Sequence, residues 1–354
     1  MSAPSPKLVT AGLWLVVLAV SLYLLVIARD LLIPLVLAIF IWYLINLLAR
    51  QFSRLKIGGH PLPMALQYVA AIAVAATIAG LFGTLITANI NQVIETAPAY
   101  QQNINQLILD NFERFGFEEP PAIRSLIEGI NFASILRNLA SALGGLMGNL
   151  GLITVYLVFL FLEQKFFTQK LKAIFPQAKQ FDTAQSILQR IDKDVSIYLG
   201  IKTMVSALTG LISWLIMAAV GLDFAGFWAL LIFVLNFIPN IGSLLATILP
   251  TLLALLQFDT LVPFMIVGIG VGTTQLIIGN FVEPPLMGRS LNISPLVVLL
   301  SLVLWGSMWG IPGMFLCVPI TVILMIILYQ FDASRWIALA LSKNGQVTPS
   351  SQRP

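Results

Sequence analysis

The chain is short of charge. Of its 354 residues only 10% are Asp, Glu, Lys or Arg, where an ordinary soluble domain carries about 25%. That scarcity, together with 58% hydrophobic residues and a mean hydropathy of +0.95, excludes an ordinary soluble globule and points to a polytopic membrane protein. There is one cysteine, Cys317, so no intrachain disulfide can form, and one histidine, His60, so no Cys/His metal cluster can be built. The sequence also lacks a GxSxG elbow, a Walker A loop and an HExxH helix. With them go serine-hydrolase chemistry, transport driven by the chain's own ATPase and zinc-peptidase chemistry. Neither an enzyme nor a cofactor is expected. The net charge of +4 is small and sits in loops on one membrane face, which excludes nucleic acid as a partner. A cleavable leader is not expected either, because the first apolar run is as long as a true span and a second follows almost at once.

What is present is a series of apolar runs. After a polar, disordered tail (1–7), residues 8–88 hold three spans, Leu8–Ala28, Leu31–Ala49 with Pro34 in its first turn, and the Ala/Gly-rich Met64–Ala88. The loop between the second and third carries Arg50, Arg54, Lys56 and His60 and no acid, so it faces the cytoplasm. Residues 89–139 change character. They are polar, carry Glu95, Asp110, Glu113, Glu118, Glu119 and Glu128 against three arginines, and read as a helical insert outside the cytoplasm. A fourth span follows (140–162), in which Ala140, Gly144 and Gly148 recur at i, i+4 as a helix-packing surface. Residues 163–200 are basic and amphipathic, hence cytoplasmic, with apolar positions such as Ile187, Ile191, Val195 and Tyr198 on one face. Residues 201–330 form a C-terminal membrane core, and 331–354 a polar tail ending in a disordered Ser/Pro/Gln segment. The fold class is therefore an all-α polytopic integral membrane protein of about eight transmembrane helices, with one or two broken or re-entrant elements.

Two broken elements concentrate the candidate chemistry. The first, 236–242, holds Asn236, Pro239, Asn240 and Gly242 inside the apolar run Ala225–Phe258. That run is long for one straight span at about 1.5 Å per residue. It is either one kinked crossing or a re-entrant pair, and the count of eight treats it as one crossing. The second, 279–313, holds Asn280, Glu283, Pro284, Pro285, Gly288 and Arg289, then Gly310-Ile311-Pro312-Gly313, with Gln275 just upstream. Ionised groups beside hydrocarbon are functional suspects, and broken helices free carbonyls and amides where transporters bind polar solutes. Glu283 suits a proton, a monovalent cation or a hydroxyl, and Arg289 would hold Glu283 in place or attract an anionic substrate. The plainer alternative makes Glu283 and Arg289 residues of a headgroup loop and the asparagines helix caps.

The segments RIDKDVSIYLGIKTMVSALTG, LDFAGFWALLIFVLNFIPNIGSLLATILP and GNFVEPPLMGRSLNISPLVVLLSLVLWGSMWGIPGMFLCVPIT, with the polar insert after the third span, resemble the AI-2E family of bacterial membrane proteins. The resemblance covers nearly the whole chain. It implies an inner-membrane protein that exports a small solute, autoinducer-2 for some members and sodium against protons for others. It also implies a homo-oligomer, with a pentamer as the candidate state. Carried over onto this chain, it marks Pro239, Asn240, Gly242, Asn280, Glu283, Pro284 and Gly288. Three readings follow: export of a small polar organic solute, sodium/proton antiport, and a membrane scaffold that transports nothing. The expected partners are the lipid bilayer, a small solute or monovalent cation, and further copies of the chain.

Overall fold

The computed structural model describes residues 6–54, 56, 57, 60–81, 83–85, 148–287 and 292–347. The expected insert at 89–139 lies outside them. Helices α1 (Pro6–Ile27) and α2 (Arg29–Phe52) meet at Ala28. Because α2 starts at Arg29, Pro34 sits inside the helix and not in its first turn. A two-residue ladder, β1 (Lys56–Ile57) with β2 (His60–Pro61), leads into α3 (Met64–Leu85). Then come α4 (Leu150–Gln164) and α5 (Phe167–Ile174), bent by 67° from one another. Ile45, Ala49 and Ala71 bind α2 to α3 in a small core that also takes in Leu157 and Phe161 of α4. The Tyr68 hydroxyl donates to Asn46 at 2.9 Å, and the Trp42 indole to Gln164 at 3.1 Å.

Helix α6 (Ala178–Val220) is the spine. It runs unbroken for 43 residues, about 64 Å, and so merges the amphipathic segment and the fifth span expected as separate pieces. It stops at Gly221, whose φ of 79° is open to glycine; Gly221 N–H bonds Ala218 O and Leu222 N–H bonds Met217 O, a Schellman cap.

The run expected as one kinked crossing or a re-entrant pair is a hairpin of two short helices. It consists of α7 (Ala225–Leu235) and α8 (Ile241–Gln257). Gln257, the last residue of α8, accepts from the Asp223 N–H at 2.7 Å and donates to the Gly221 carbonyl at 3.0 Å. The chain thus returns to the turn from which α7 departs. The 11 residues of α7 reach about 16 Å, half of a hydrocarbon core of about 30 Å.

Helix α9 (Leu261–Ile277) then runs antiparallel along α6, passing through a π turn (Ile278–Val282) into α10 (Glu283–Met287). A second hairpin follows. Helix α11 (Pro295–Tyr329) is folded at Gly310 (φ 64°, ψ −142°), and the Thr321 hydroxyl donates to Ser301 Oγ at 2.9 Å. In a straight helix those two residues would be about 30 Å apart. Arms 295–309 and 311–329 are therefore antiparallel. Their base is tied by Ser294 N–H to Leu341 O and Lys343 N–H to Asn292 O, each at 3.0 Å. The segment expected as a polar tail is consequently ordered through residue 347. It forms α12 (Arg335–Leu341), buries Ala338 and Val347, and docks its Val347 carbonyl on Arg190 of α6. Its apolar Trp-Ile-Ala-Leu-Ala-Leu run needs cover, which composition averaged over the tail conceals.

Among the described residues five helical runs are long and apolar enough to span a membrane: α2, α3, α6, Leu261–Met287 and α11; the bent pair α4–α5 makes a sixth if taken together. The two hairpins enter from opposite ends of α6, the first at Val220 and the second near Arg190. Their tips meet. Phe237 stacks on Phe315 at 4.7 Å, and Phe40 of α2 packs edge-on to both, at 5.8 and 4.9 Å.

The conformation of Gly310 is open to glycine alone. Gly310→Ala should cost about 1–3 kcal/mol, read as a lower thermal midpoint in detergent. Gly279→Ala, in a helical position with open space where its Cβ would go, should leave the midpoint unchanged or raise it.

Candidate functional site

Helix α6 turns a file of polar side chains inward. Lys202, Ser206, Thr209 and Ser213 recur at i, i+4, i+7 and i+11, and all four are buried. The file faces α7 and α9, the two helices that pack on this stretch of α6. Small residues permit the approach: Gly210 lies against the Ala229 carbonyl and Gly270 against Ile216. At the mouth of the first hairpin tip, Asn236 donates to Thr209 Oγ1 at 3.3 Å, while Thr209 donates to the Val205 carbonyl at 2.8 Å. Much of the remaining polarity has no protein partner. Thr203 Oγ1, Ser206 Oγ, Ser213 Oγ, Trp228 Nε1 and Gln275 Nε2 are buried and make no hydrogen bond within the described structure. Five such atoms on α6, α7 and α9 call for water or solute, because a buried donor without a partner costs about 1–3 kcal/mol.

At the Lys202 end of the seam sits an ion pair. Lys202 Nζ lies 2.6 Å from Glu283 Oε1, with the side chains 9% and 20% exposed. Some 18 residues of α6 separate Lys202 from Val220, about 27 Å, close to the thickness of a hydrocarbon core of about 30 Å. Tyr198, one turn below, is within electrostatic range of Glu283 and of Cys317 in the second hairpin. Glu283 owes its place to the prolines behind it. Pro284 and Pro285 have no N–H to give the carbonyls a turn back, and Glu283 N–H bonds Ile278 O, the wider π spacing. The doubled proline therefore widens the helix where a break was expected.

The sequence-derived candidates fall into groups. Asn236, Gln275 and Glu283 line the seam. Gly242 is a packing residue, since a Cβ there would collide with the Leu235 carbonyl, and Gly313 has the same relation to Trp305 in the second hairpin. Pro239 and Asn240 form the first tip, where Asn240 is exposed with φ 59°, a value asparagine tolerates. Asn280 is exposed and bonds locally to the Leu276 carbonyl at 3.0 Å; Pro284 and Pro285 are exposed. Gly288 and Arg289 lie outside the described residues, as do Ala140 and Gly144, and Gly148 is exposed with open space around it. Arg289 was expected to hold Glu283; the structure gives that role to Lys202, which lies at the start of the expected membrane core and was not among the candidates. The signal was present in the isolated lysine of GIKTMVSALTGLIS and in the spacing of the hydroxyls after it.

Comparison with known proteins places this arrangement. The sequence profile described as AI-2E family transporter matches residues 14–332. The chain is 33% identical over 319 residues to the AI-2 transport protein TqsA of Escherichia coli (strain K12), covering 89% of this chain and 90% of that one. It is 30% identical over 331 residues to the putative transport protein YhhT of the same organism, covering 92% and 91%. A putative transport protein of Borreliella burgdorferi is 33% identical over 256 residues, 70% of this chain and 68% of the other.

Breaking a buried pair from one side costs about 3–5 kcal/mol, whereas replacing both partners by apolar groups costs little. Lys202→Met should thus lower the detergent thermal midpoint sharply, and Lys202→Met/Glu283→Met should recover most of the loss. Additive single and double effects would show that the two side chains do not interact.

Proposed function

The chain belongs to the AI-2E family of transporters, multi-pass proteins of the bacterial inner membrane and not enzymes, and on that footing we propose that it exports a small polar organic solute through the α6 seam. The observation that carries this reading is the run of buried, unpartnered polar groups on α6, α7 and α9. Its middle is uncharged. Hydroxyls, an indole N–H and two carboxamides suit a neutral, hydrogen-bonding solute, and a bare ion would find no countercharge there. TqsA bears the name of an AI-2 transport protein, so AI-2 is the first solute to test. In topological terms we propose six crossings, α1, α2, α3, α4, α6 and α9, with the two hairpins inserted from opposite faces. Counted as membrane elements they make eight, and both termini lie in the cytoplasm, in accord with the basic loops. Assembly as a homo-oligomer belongs to the same reading.

Sodium/proton antiport is the second reading, and it rests on Glu283. Lys202 already occupies the position a transported cation would take. Exchange therefore requires the ammonium to leave each time a cation binds.

Full-length protein in sealed liposomes separates the two. We expect facilitated movement of AI-2 that falls at least tenfold in Asn236→Leu and Ser206→Val, each reconstituted to the wild-type level. Wild-type AI-2 flux in both variants would exclude the seam as the route. A sodium-dependent proton flux lost in Glu283→Gln would replace the organic-solute reading by antiport.

A further inference from the structure

Outside the seam, a groove of about 720 Å³ lies between the C-terminal end of α2 and the outer face of α6. Its mouth is basic: Arg50 and Lys193 stand there with one carboxylate, Asp192, so the mouth carries net positive charge. Arg50 Nη2 is 3.2 Å from Asp192 Oδ2, an exposed pair that leaves the rest of the guanidinium fork open. Among the described residues Lys193 pairs with no carboxylate. Ser196 adds a hydroxyl beside them. Deeper in, the lining turns apolar with Leu47, Ile201 and Met204.

The apolar lining does not stop at the groove. Met204, Leu208, Leu211 and Leu215 recur at i, i+4, i+7 and i+11 and are all exposed, a stripe of about 16 Å up the outer face of α6. The change from charged to apolar lining falls just below Lys202, at the level of its pair with Glu283 and about 27 Å from the far end of α6. A basic mouth at that level, with an apolar track running from it toward the bilayer centre, has the shape of a phospholipid: phosphate below, acyl chain above. Basic pockets between helices on the cytoplasmic side are a recognised form of anionic headgroup recognition.

We infer that this groove is a binding site for an anionic phospholipid, with Arg50 and Lys193 on the phosphate and Met204 to Leu215 along an acyl chain. The site is separate from the α6 seam. The two lie on opposite faces of one helix, so the lipid would steady the outer face of α6 while the inner face carries the polar file.

The test uses the full chain in a neutral detergent, with phosphatidylglycerol and phosphatidylcholine as probes, read by native mass spectrometry and by thermal midpoint. Wild type should bind phosphatidylglycerol in preference and be stabilised more by it than by phosphatidylcholine. Arg50→Gln/Lys193→Gln should weaken phosphatidylglycerol about tenfold, as expected for two lost cations, and leave phosphatidylcholine unchanged. Asp192→Asn removes the competing carboxylate and should tighten phosphatidylglycerol, a gain that a merely structural Arg50–Asp192 tie would not give. Equal binding of the two lipids by wild type, or an unchanged preference in the double variant, would overturn the inference. So would loss of an oligomer in the double variant irrespective of lipid, because the groove would then be a contact between copies.

Discussion

Hydrocarbon gives a broken helix nothing to bond to, and that constraint shapes the C-terminal core. Each hairpin tip leaves backbone carbonyls and N–H groups without helical partners, and within hydrocarbon such backbone survives only when sheltered by protein or facing water. Here the tips shelter one another. Phe237 and Phe315 stack where they meet, and Phe40 of α2 closes the side. Gly242 and Gly313 let each returning arm lie against the carbonyl of the arm before it, Leu235 in one case and Trp305 in the other. The same device is used twice, from opposite ends of α6, in the manner of transporters built from oppositely inserted halves.

Charge is graded along the spine. Before Lys202, α6 carries Arg190, Asp192, Lys193 and Asp194. At Lys202 one ion pair remains, part-buried and bound across 81 positions of sequence. Above it only hydroxyls, carboxamides and an indole are left. A solute passing along this seam would meet a charged threshold and then a neutral interior. This favours a molecule that exchanges hydrogen bonds with water over one that must leave its whole hydration shell behind.

Much of this architecture is legible in the sequence. Proline and glycine in apolar runs mark both tips, with asparagine at the first. The direction of the chain after Asn236 was not legible, because a kink and a reversal use the same breakers. What decides it is Gln257 reaching back to Gly221 and Asp223, a contact between distant positions. The partner of Glu283 was missed for a related reason. Arg289 is near in sequence, but α9 runs back along α6 and brings Lys202 to the carboxylate. Likewise the doubled proline signals a disturbance without saying that a π turn would absorb it.

The central claim is that the inner face of α6 is in contact with water while its outer face is in lipid. Ser206→Cys in a Cys317→Ser background, treated in sealed vesicles with a membrane-impermeant thiol reagent, tests it directly. The account predicts modification of Ser206→Cys and none of Leu211→Cys on the outer face. An inert Ser206→Cys, or equal modification of the two, would contradict it.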